Sequence, residues 1–357
     1  MAVKDKFFFI ATEPTPQVRL NLGYENMNDS YDFVIKMYES PANKDYAEKL
    51  LNDADIVIAG SCCFPFEMIV PRLENNKLTF WFSERLFKRG FLERFYPPKI
   101  KRVLSQCTKY RNKNFYLLCA GGYVAKDYAF YNAFKGKSFS WGYFPPVIAD
   151  EKNNSENRTD QKLSLLWTAR YLKWKHPEYI ISAARALKKR GVDFEIKMIG
   201  NGKDYKRITK LIKKFKLENY VFQLGAIPSK EVRNYMDSAD IFLFTSDANE
   251  GWGAVLNESM NSRCAVIANE AIGSVKSIIH NGFNGVTYKN KKQFIRELAS
   301  LSQDRAKIEM LGNNAYDTII NLWSAECAVN RFYETATAIL SNSKIPEYDS
   351  GPMKKIN

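Results

Sequence analysis

Two glutamates, eight positions apart, give the strongest chemical signal in this sequence. Glu250 precedes a Gly-Trp-Gly segment and Glu258 follows it. The apolar run Ile241–Thr245 predicts a buried strand leading to this segment, and the glycines mark a turn that opens a helix carrying Glu258. A carboxylate on such a helix can accept hydrogen bonds from a vicinal diol such as a ribose, and one on the preceding loop can accept from a sugar hydroxyl. The alternative is that both are ordinary solvated carboxylates.

An anion-binding site is predicted where this helix begins. The first N–H groups of a helix have no partner within the helix and attract a phosphate. The amides concerned are those of Gly253, Ala254 and Val255. Cations for the same anion stand at another strand end, since Arg170 and Lys175 follow the apolar run 163–168. Because Arg provides a planar fork and Lys a point charge, the two suit a diphosphate, although a basic helix start is the simpler alternative.

Two further predicted strands end at the same edge of the sheet. Gly200 and Gly202 follow one predicted strand, and Ala226 and Ile227 follow the next. The carboxyl ends of parallel strands lie at one edge of a sheet, so these turns and the two described above would meet in one site. A single Gly-x-Gly, taken alone, is also common in ordinary turns.

The elements that must position these residues form two α/β halves. In each half, short apolar runs alternate with segments of helical periodicity, which is typical of parallel sheets covered by helices. A polar stretch at 151–160 separates the halves. We therefore expect two Rossmann-like domains that face each other across a cleft, with the ligand in the cleft. The predicted division is an N-terminal domain at 1–147, a linker at 148–162, a second domain at 163–325, and a helix and tail at 326–357 that pack back toward the N-terminal domain.

Residues from about 163 to about 290 resemble the donor-binding domain of retaining glycosyltransferases of the GT-B fold, family 4 (glycosyl transferases group 1). Four elements of that family match in order: an Arg and a Lys after the first strand of the domain, a Gly-x-Gly after the next, a base-binding strand end, and a Glu-x7-Glu element. In this sequence they are Arg170 with Lys175, Gly200 with Gly202, Gly225 to Ile227, and Glu250 with Glu258.

The resemblance implies a nucleotide-sugar donor, with UDP favoured because it is commoner in the family, and no metal ion or other cofactor. Arg170 and Lys175 would neutralise the diphosphate as it leaves, and the helix amides would add to this effect. Glu258 would hold the ribose, and Glu250 would orient the donor sugar. The acceptor would attack from the leaving-group face with retention at the anomeric carbon, in the synthesis of a bacterial surface polysaccharide.

The N-terminal half is the acceptor side in this family, where the acceptor is a saccharide or a lipid-linked sugar. Many members have a glycine-rich loop and a histidine in this half, whereas here the loop 12–19 lacks glycine and both histidines lie in the C-terminal half. One of them, His176, is expected to be structural or to lie at the rim of the site. Candidate contacts follow the predicted strand 78–82, with a helix cap as the alternative. They are Ser83, Glu84 and Arg85.

Positive charge is concentrated in one part of the N-terminal half. The 357 residues include 53 Lys and Arg against 39 Asp and Glu, a net charge of +14. Residues 85–137 hold thirteen Lys and Arg and only two acidic residues, interleaved with aromatic and aliphatic ones. Such a segment can bind an anionic membrane surface or a lipid-linked acceptor, or it can be a solvated face with a buried aromatic side. Because the sequence has neither a signal-peptide core nor a transmembrane run, we expect a cytoplasmic protein, either free or peripheral on the inner face of the cell membrane.

Two other classes of protein compete with this interpretation. A non-catalytic nucleic-acid-binding protein would explain the charge, but Glu250 and Glu258 would repel a phosphate backbone, so we expect no nucleic-acid partner. Another Rossmann-type nucleotide-binding enzyme, such as a nicotinamide oxidoreductase, would carry Gly-x-Gly-x-x-Gly after its first strand, which neither half does. The scattered cysteines form no zinc pattern, and Asp53 and Asp55 precede a strand at its amino end, so we expect no metal site.

Overall fold

The computed structural model describes residues 6–20, 25–60, 64–148 and 162–356. Two largely parallel sheets, each packed against helices, account for most of this chain. The predicted fold class, α/β with two Rossmann-like domains, is confirmed. The predicted linker at 148–162 lies, except for its two end residues, outside the described residues.

The N-terminal domain is built on a five-stranded sheet with a separate strand pair beside it. The sheet strands are β3 (Val57–Gly60), β4 (Thr79–Glu84), β5 (Phe115–Ala120), β6 (Ser138–Trp141) and β13 (Lys355–Ile356), and the separate parallel pair is β1 (Phe9–Ala11) with β2 (Val34–Lys36). The strand order is β13-β6-β5-β4-β3, with only β13 antiparallel to its neighbour. Phe80, Leu118 and Phe139 are fully buried on this sheet, as expected for strands covered on both faces.

The described residues of this domain form five α-helices. They are α1 (Gln17–Leu20), α2 (Pro41–Asp53), α3 (Val70–Glu74), α4 (Pro97–Gln106) and α5 (Val124–Ala129). The start of α2 shows how the local sequence determines where a helix begins. The hydroxyl of Ser40 accepts from the backbone N–H of Asn43 at 3.1 Å, and Pro41 occupies the first helical position, where its missing N–H costs nothing.

The C-terminal domain has a six-stranded sheet in which every pair is parallel. Its strands are β7 (Leu163–Thr168), β8 (Phe194–Ile199), β9 (Val221–Gly225), β10 (Ile241–Phe244), β11 (Ala265–Asn269) and β12 (Val286–Tyr288). The strand order is β12-β11-β10-β7-β8-β9. The chain moves outward from β7 through β8 and β9, then returns to place β10 on the other side of β7. The direction of winding therefore reverses between β7 and β10, which is where sheets of this kind open a crevice for a ligand.

Helices flank this sheet and continue to the end of the domain. They are α6 (Glu178–Lys189), α7 (Tyr205–Lys214), α8 (Ser229–Asp237), α9 (Val255–Asn261), α10 (Gly273–Ile278), α11 (Lys291–Leu301), α12 (Arg305–Asn321) and α13 (Ala325–Leu340). In α6, Ile180, Ala184 and Leu187 are fully buried at helical spacing, while Lys188 and Lys189 are exposed. This apolar stripe packs the helix on β8 and belongs to the same apolar core as the side chains of β7.

The C-terminal segment returns to the N-terminal domain. Phe332 on α13 packs on Phe80 and Trp141, with ring centroids 4.9 and 5.7 Å apart. Met353 is fully buried, and β13 then pairs with β6. Strands β2, β6 and β13 were not predicted from the sequence, because they are short and β6 carries serines among its aromatic residues. None of the helices in the described ranges is long and apolar enough to cross a membrane.

Candidate active site

The loops after β7 and β10 are joined at the point where the winding of the sheet reverses. The indole N–H of Trp167 donates to Oγ1 of Thr245 at 2.8 Å, and Thr245 donates to the carbonyl oxygen of Lys175 at 2.6 Å. The backbone N–H of Asp247 donates to the carbonyl oxygen of Trp174 at 2.9 Å. These bonds hold two functional segments, 169–175 and 245–250, against each other.

Lys175 and Glu250 form an ion pair at this junction. The ammonium of Lys175 contacts Oε2 of Glu250, and both side chains are nearly buried. Burial lowers the pKa of Lys175, the nearby Arg170 adds to this effect, and the carboxylate of Glu250 opposes it. Arg170 itself is exposed. The structure therefore brings together three predicted site residues, with positive charge in excess of negative charge among them.

Gly200 and Gly202 allow the loop after β8 to pack on the loop after β7. Their φ values of 128° and 151° lie in the region that favours glycine. A Cβ at Gly200 would fall 2.1 Å from the carbonyl oxygen of Ala169, and one at Gly202 would fall 2.7 Å from that of Tyr171. The N–H of Gly200 also donates to the carbonyl oxygen of Gly225 at 2.7 Å. Three strand ends thus meet without room for side chains at these glycines.

Two other predicted residues follow β9 at the same edge of the sheet. Ala226 is exposed, whereas Ile227 is half-buried and packs on the apolar core of the C-terminal domain. They lie directly after Gly225, which the N–H of Gly200 contacts. This strand end is therefore continuous with the glycine loop.

Gly253 makes the turn into α9 possible. Its φ is 80°, and a Cβ would fall 2.5 Å from Cζ of Phe244 at the end of β10. Ala254 is the cap residue and Val255 the first residue of the helix, and both are half-buried. The predicted amides therefore lie at the start of a short helix, next to the end of β10.

Glu258 lies one turn further along α9. Its side chain is half-buried, and this burial raises its pKa, with the positive charge of Arg233 acting in the opposite direction. Arg233 is itself engaged by Asp237 at 2.7 Å and by Oδ1 of Asn261 at 2.8 Å. Glu258 is therefore a carboxylate in poorly solvated surroundings, not a solvated surface group.

His176 lies at the edge of the ion pair. It has a left-handed backbone conformation, with Nδ1 3.0 Å from Oε1 of Glu178 and Nε2 3.4 Å from Oδ2 of Asp247. The hydrogen bond with Glu178 is the main cause of the raised pKa of His176. The imidazole thus connects the start of α6 to the loop that carries Glu250.

The N-terminal domain reaches this loop through Glu84 at the end of β4. A Cβ added at Gly251 would fall 1.9 Å from Oε2 of Glu84, so the carboxylate lies against the Cα of Gly251. The same carboxylate accepts from Lys88 at 2.7 Å and from the hydroxyl of Tyr143 at 3.2 Å. The sequence indicates Glu84 as a candidate contact, but its position against Gly251 is visible only in the structure.

Ser83 and Arg85, the neighbours of Glu84, have other partners. The hydroxyl of Tyr128 donates to Oγ of Ser83 at 2.9 Å, inside the N-terminal domain. Arg85 stacks on the ring of Tyr123 at 4.7 Å and donates to the carbonyl oxygen of Ala271 at 3.4 Å. Ser83 is thus part of the domain interior, and Arg85 bridges the two domains.

Four glycines lie where the two domains contact each other, and three of them were not predicted from the sequence as part of the site. The N–H of Gly122 donates to the carbonyl oxygen of Gly273 at 3.1 Å. A Cβ at Gly121 would fall 2.9 Å from Cα of Gly273, and a Cβ at Gly273 would fall 2.4 Å from the carbonyl oxygen of Gly251. The Gly121-Gly122 pair after β5 is the sequence signal that could have indicated this contact.

The described part of the chain contains no cluster of side chains suited to bind a metal ion. No group of three or more His, Cys, Asp or Glu side chains there is arranged to hold an ion. Asp53, the last residue of α2, and Asp55, which follows it, are both exposed, and they precede β3 at the amino end of that strand.

Two facing Rossmann-like domains with a strand-end site are the architecture of GT-B glycosyltransferases. A structure of Anabaena Alr3699/HepE in complex with UDP matches with a TM-score of 0.66 and 15% identity, covering 83% of this chain and 82% of that one. A glycosyltransferase from Rickettsia africae ESF-5 matches with a TM-score of 0.62 and 17% identity, covering 87% and 86%. At these identities the likeness concerns the fold.

The family follows from the sequence of the C-terminal domain. Residues 148–318, slightly less than half of the chain, match the profile of the family described as Glycosyl transferases group 1. The resemblance identified from the sequence motifs is thereby confirmed.

Curated relatives match over the same part of the chain. The amylovoran biosynthesis glycosyltransferase AmsK of Erwinia amylovora is 32% identical over 169 residues, which cover 45% of this chain and 42% of that protein. The putative colanic acid biosynthesis glycosyltransferase WcaL of Escherichia coli (strain K12) is 28% identical over 167 residues, covering 44% and 39%. The chain thus spans about two fifths of the length of these relatives.

Proposed function

We propose that this protein is a glycosyltransferase that moves a sugar from a nucleotide-sugar donor to a saccharide or lipid-linked acceptor. The observation that carries the proposal is the Lys175–Glu250 pair beside Arg170, where the winding of the C-terminal sheet reverses. A nearly buried lysine beside an exposed arginine at this position suits the diphosphate of a nucleotide, because the charge of the lysine acts more strongly where water is scarce.

Each side chain has a distinct role in this proposal. Lys175, now held by Glu250, would turn to the diphosphate together with Arg170 and stabilise the negative charge that develops as the nucleotide leaves. Glu250, released from Lys175, would accept from a hydroxyl of the donor sugar and orient it. Glu258, half-buried on α9, would accept from the ribose hydroxyls.

Backbone groups would complete the donor site. The loop of Gly200 and Gly202 lies directly on the loop of Arg170, so a diphosphate could approach the main chain there. The amides of Gly253 to Val255 would donate to the same phosphates. Ala226 and Ile227, at the end of β9, would contact the base.

UDP is our proposal for the nucleotide, and a bacterial surface polysaccharide for the product. Alr3699/HepE was solved with UDP, and the curated relatives are named for the biosynthesis of amylovoran and colanic acid. Retention at the anomeric carbon and transfer without a metal ion are also part of the proposal. Because Arg170 and Lys175 would supply the positive charge, we expect transfer to continue in the presence of a metal chelator. Loss of activity that added Mg²⁺ or Mn²⁺ restores would contradict this.

The acceptor would enter from the N-terminal domain, where Glu84 faces the loop that carries Glu250. A carboxylate there can orient an acceptor hydroxyl. A cytoplasmic location, either free or peripheral on the inner face of the cell membrane, stays a prediction. No nucleic-acid partner is proposed.

Donor hydrolysis and transfer with a panel of nucleotide sugars test this function. Arg170→Ala and Glu258→Ala should each lower kcat/KM by about 10- to 150-fold, as expected for the loss of a charged hydrogen bond of about 1.5–3 kcal/mol. Arg296→Ala, which removes an exposed arginine on α11 paired with Glu297, is the matched control and should retain activity. Full activity in both site variants would refute the assignment.

A further inference from the structure

The N-terminal domain displays large apolar side chains on the turn before α4 and on α4 itself. Leu92 is 82% exposed, Phe95 55%, Tyr96 57% and Leu104 44%. Such side chains are normally scattered singly on a protein surface, whereas these four occupy a segment of thirteen residues, 92–104. We refer to these four residues, with Lys101 and Arg102, as the α4 surface.

Helix α4 combines apolar and cationic side chains on its surface. Pro97, Ile100 and Leu104 recur at helical spacing on α4, and together with Lys101 they line one shallow groove. Lys101 and Arg102 are exposed, and neither forms an ion pair with any described residue. This part of α4 therefore presents an apolar stripe bordered by cations.

Only part of the basic segment 85–137 forms an exposed surface in the structure. Several of its cations are engaged within the domain: Lys88 pairs with Glu84, Lys99 pairs with Glu93, and Lys137 donates to the carbonyl oxygen of Arg111 at 2.9 Å. Strand β5, in the middle of the segment, is largely buried. The segment is thus not one continuous face, and its exposed apolar residues cluster at the α4 surface.

We propose that the α4 surface docks the protein on an anionic lipid membrane. Aliphatic and aromatic side chains beside exposed cations match the boundary between acyl chains and negatively charged headgroups. Polyanions such as nucleic acid would use the cations but would leave Leu92 and Leu104 in water. The acidic residue nearest this surface, Glu93, is paired with Lys99, so it does not oppose the approach of anions.

This inference rests on the proposed function only in one respect, namely that a membrane would present a lipid-linked acceptor to the cleft. Docking itself needs neither donor nor acceptor. It can therefore be measured on the full chain without any nucleotide, and UDP binding by the same proteins reports separately on the donor site.

Vesicle flotation is the direct test. Vesicles of phosphatidylcholine with phosphatidylglycerol should carry the protein upward at low salt, and vesicles of phosphatidylcholine alone should carry much less. Lys101→Glu with Arg102→Glu should weaken binding by at least about 25-fold, since each cation near such a surface contributes about fivefold. Leu92→Ser with Phe95→Ser should abolish the part of the binding that persists at high salt, because salt screens charge but not apolar insertion.

The C-terminal domain offers a matched control for each variant. Lys213→Glu with Lys214→Glu makes the same charge change on the exposed face of α7, and Phe283→Ser removes a phenylalanine that is 55% exposed, like Phe95. Both controls should float as the wild-type protein does. The inference is overturned if the wild-type protein does not bind the anionic vesicles, or if the controls lose as much binding as the α4 variants. A dimer in solution that Leu92→Ser with Phe95→Ser dissociates, without vesicle binding, would also overturn it.

Discussion

Replacement of Gly251 by alanine tests how the N-terminal domain contacts the donor loop. The φ of Gly251 lies outside the left-handed region, so alanine can adopt its backbone conformation. The three atoms nearest to an added Cβ all belong to the carboxylate of Glu84, at 1.9, 2.1 and 2.4 Å. These distances are far below van der Waals contact, so either the carboxylate or the whole domain must move.

The expected size of the effect follows from what would be lost. Displacing Glu84 removes its hydrogen bonds with Lys88 and Tyr143, and forcing extra volume into a packed contact costs about 1–3 kcal/mol. If the contact holds the loop of Glu250 in its active position, kcat/KM for donor turnover should fall by about 5- to 150-fold. Thermal unfolding should change little, because the glycine contributes to neither domain core.

A double-mutant cycle separates this contact from any other effect of the added methyl group. In a Glu84→Ala background the colliding carboxylate is gone, so Gly251→Ala should then have almost no further effect on kcat/KM. Kinetics of donor hydrolysis for the four proteins give the coupling energy. The reasoning is refuted if Gly251→Ala costs as much without the Glu84 carboxylate as with it.

Three further predictions concern stability. Lys175→Met should lower the free energy of unfolding by about 3 kcal/mol in denaturant titration, because it removes the ion-pair partner of the nearly buried Glu250. Adding Glu250→Gln should recover most of this loss, and no recovery would contradict the pairing. Burial raises the pKa of Glu258, so the stability gained by protonating this group is present at low pH and is lost as pH rises through the raised pKa. Glu258→Gln has no carboxyl group to titrate, so its stability relative to the wild type, measured by thermal unfolding, should increase as pH rises. A difference in stability that does not depend on pH would contradict the burial of Glu258. Met353→Ala should lower stability by about 2–5 kcal/mol, and a near-neutral result in denaturant titration would show that the C-terminal segment does not anchor to the N-terminal domain.

The strand ends of the C-terminal domain could be predicted because local signals coincide there. An apolar run, a glycine turn and a helix start followed each other at β8 with Gly200 and at β10 with Gly253, and the structure has these elements in that order. The glycines were informative for a physical reason. Each has a positive φ and a neighbour too close for a side chain, which few other residue types tolerate.

The contacts between segments far apart in the chain could not be predicted in this way. The pairing of Lys175 with Glu250 depends on β7 and β10 being neighbours, which follows from the strand order and not from the periodicity of either segment. The contact of Glu84 with Gly251 depends in addition on how two domains meet. The resemblance to a family placed Arg170 near Lys175, but the burial that lowers the pKa of Lys175 became visible only in three dimensions.

A structure of the protein bound to UDP would test the central claim most directly. The account predicts the diphosphate within hydrogen-bonding distance of Lys175 and Arg170, with Lys175 turned away from Glu250, and the ribose hydroxyls at Glu258. UDP bound elsewhere, or bound at this edge of the sheet with the Lys175–Glu250 pair intact and Glu258 untouched, would contradict it.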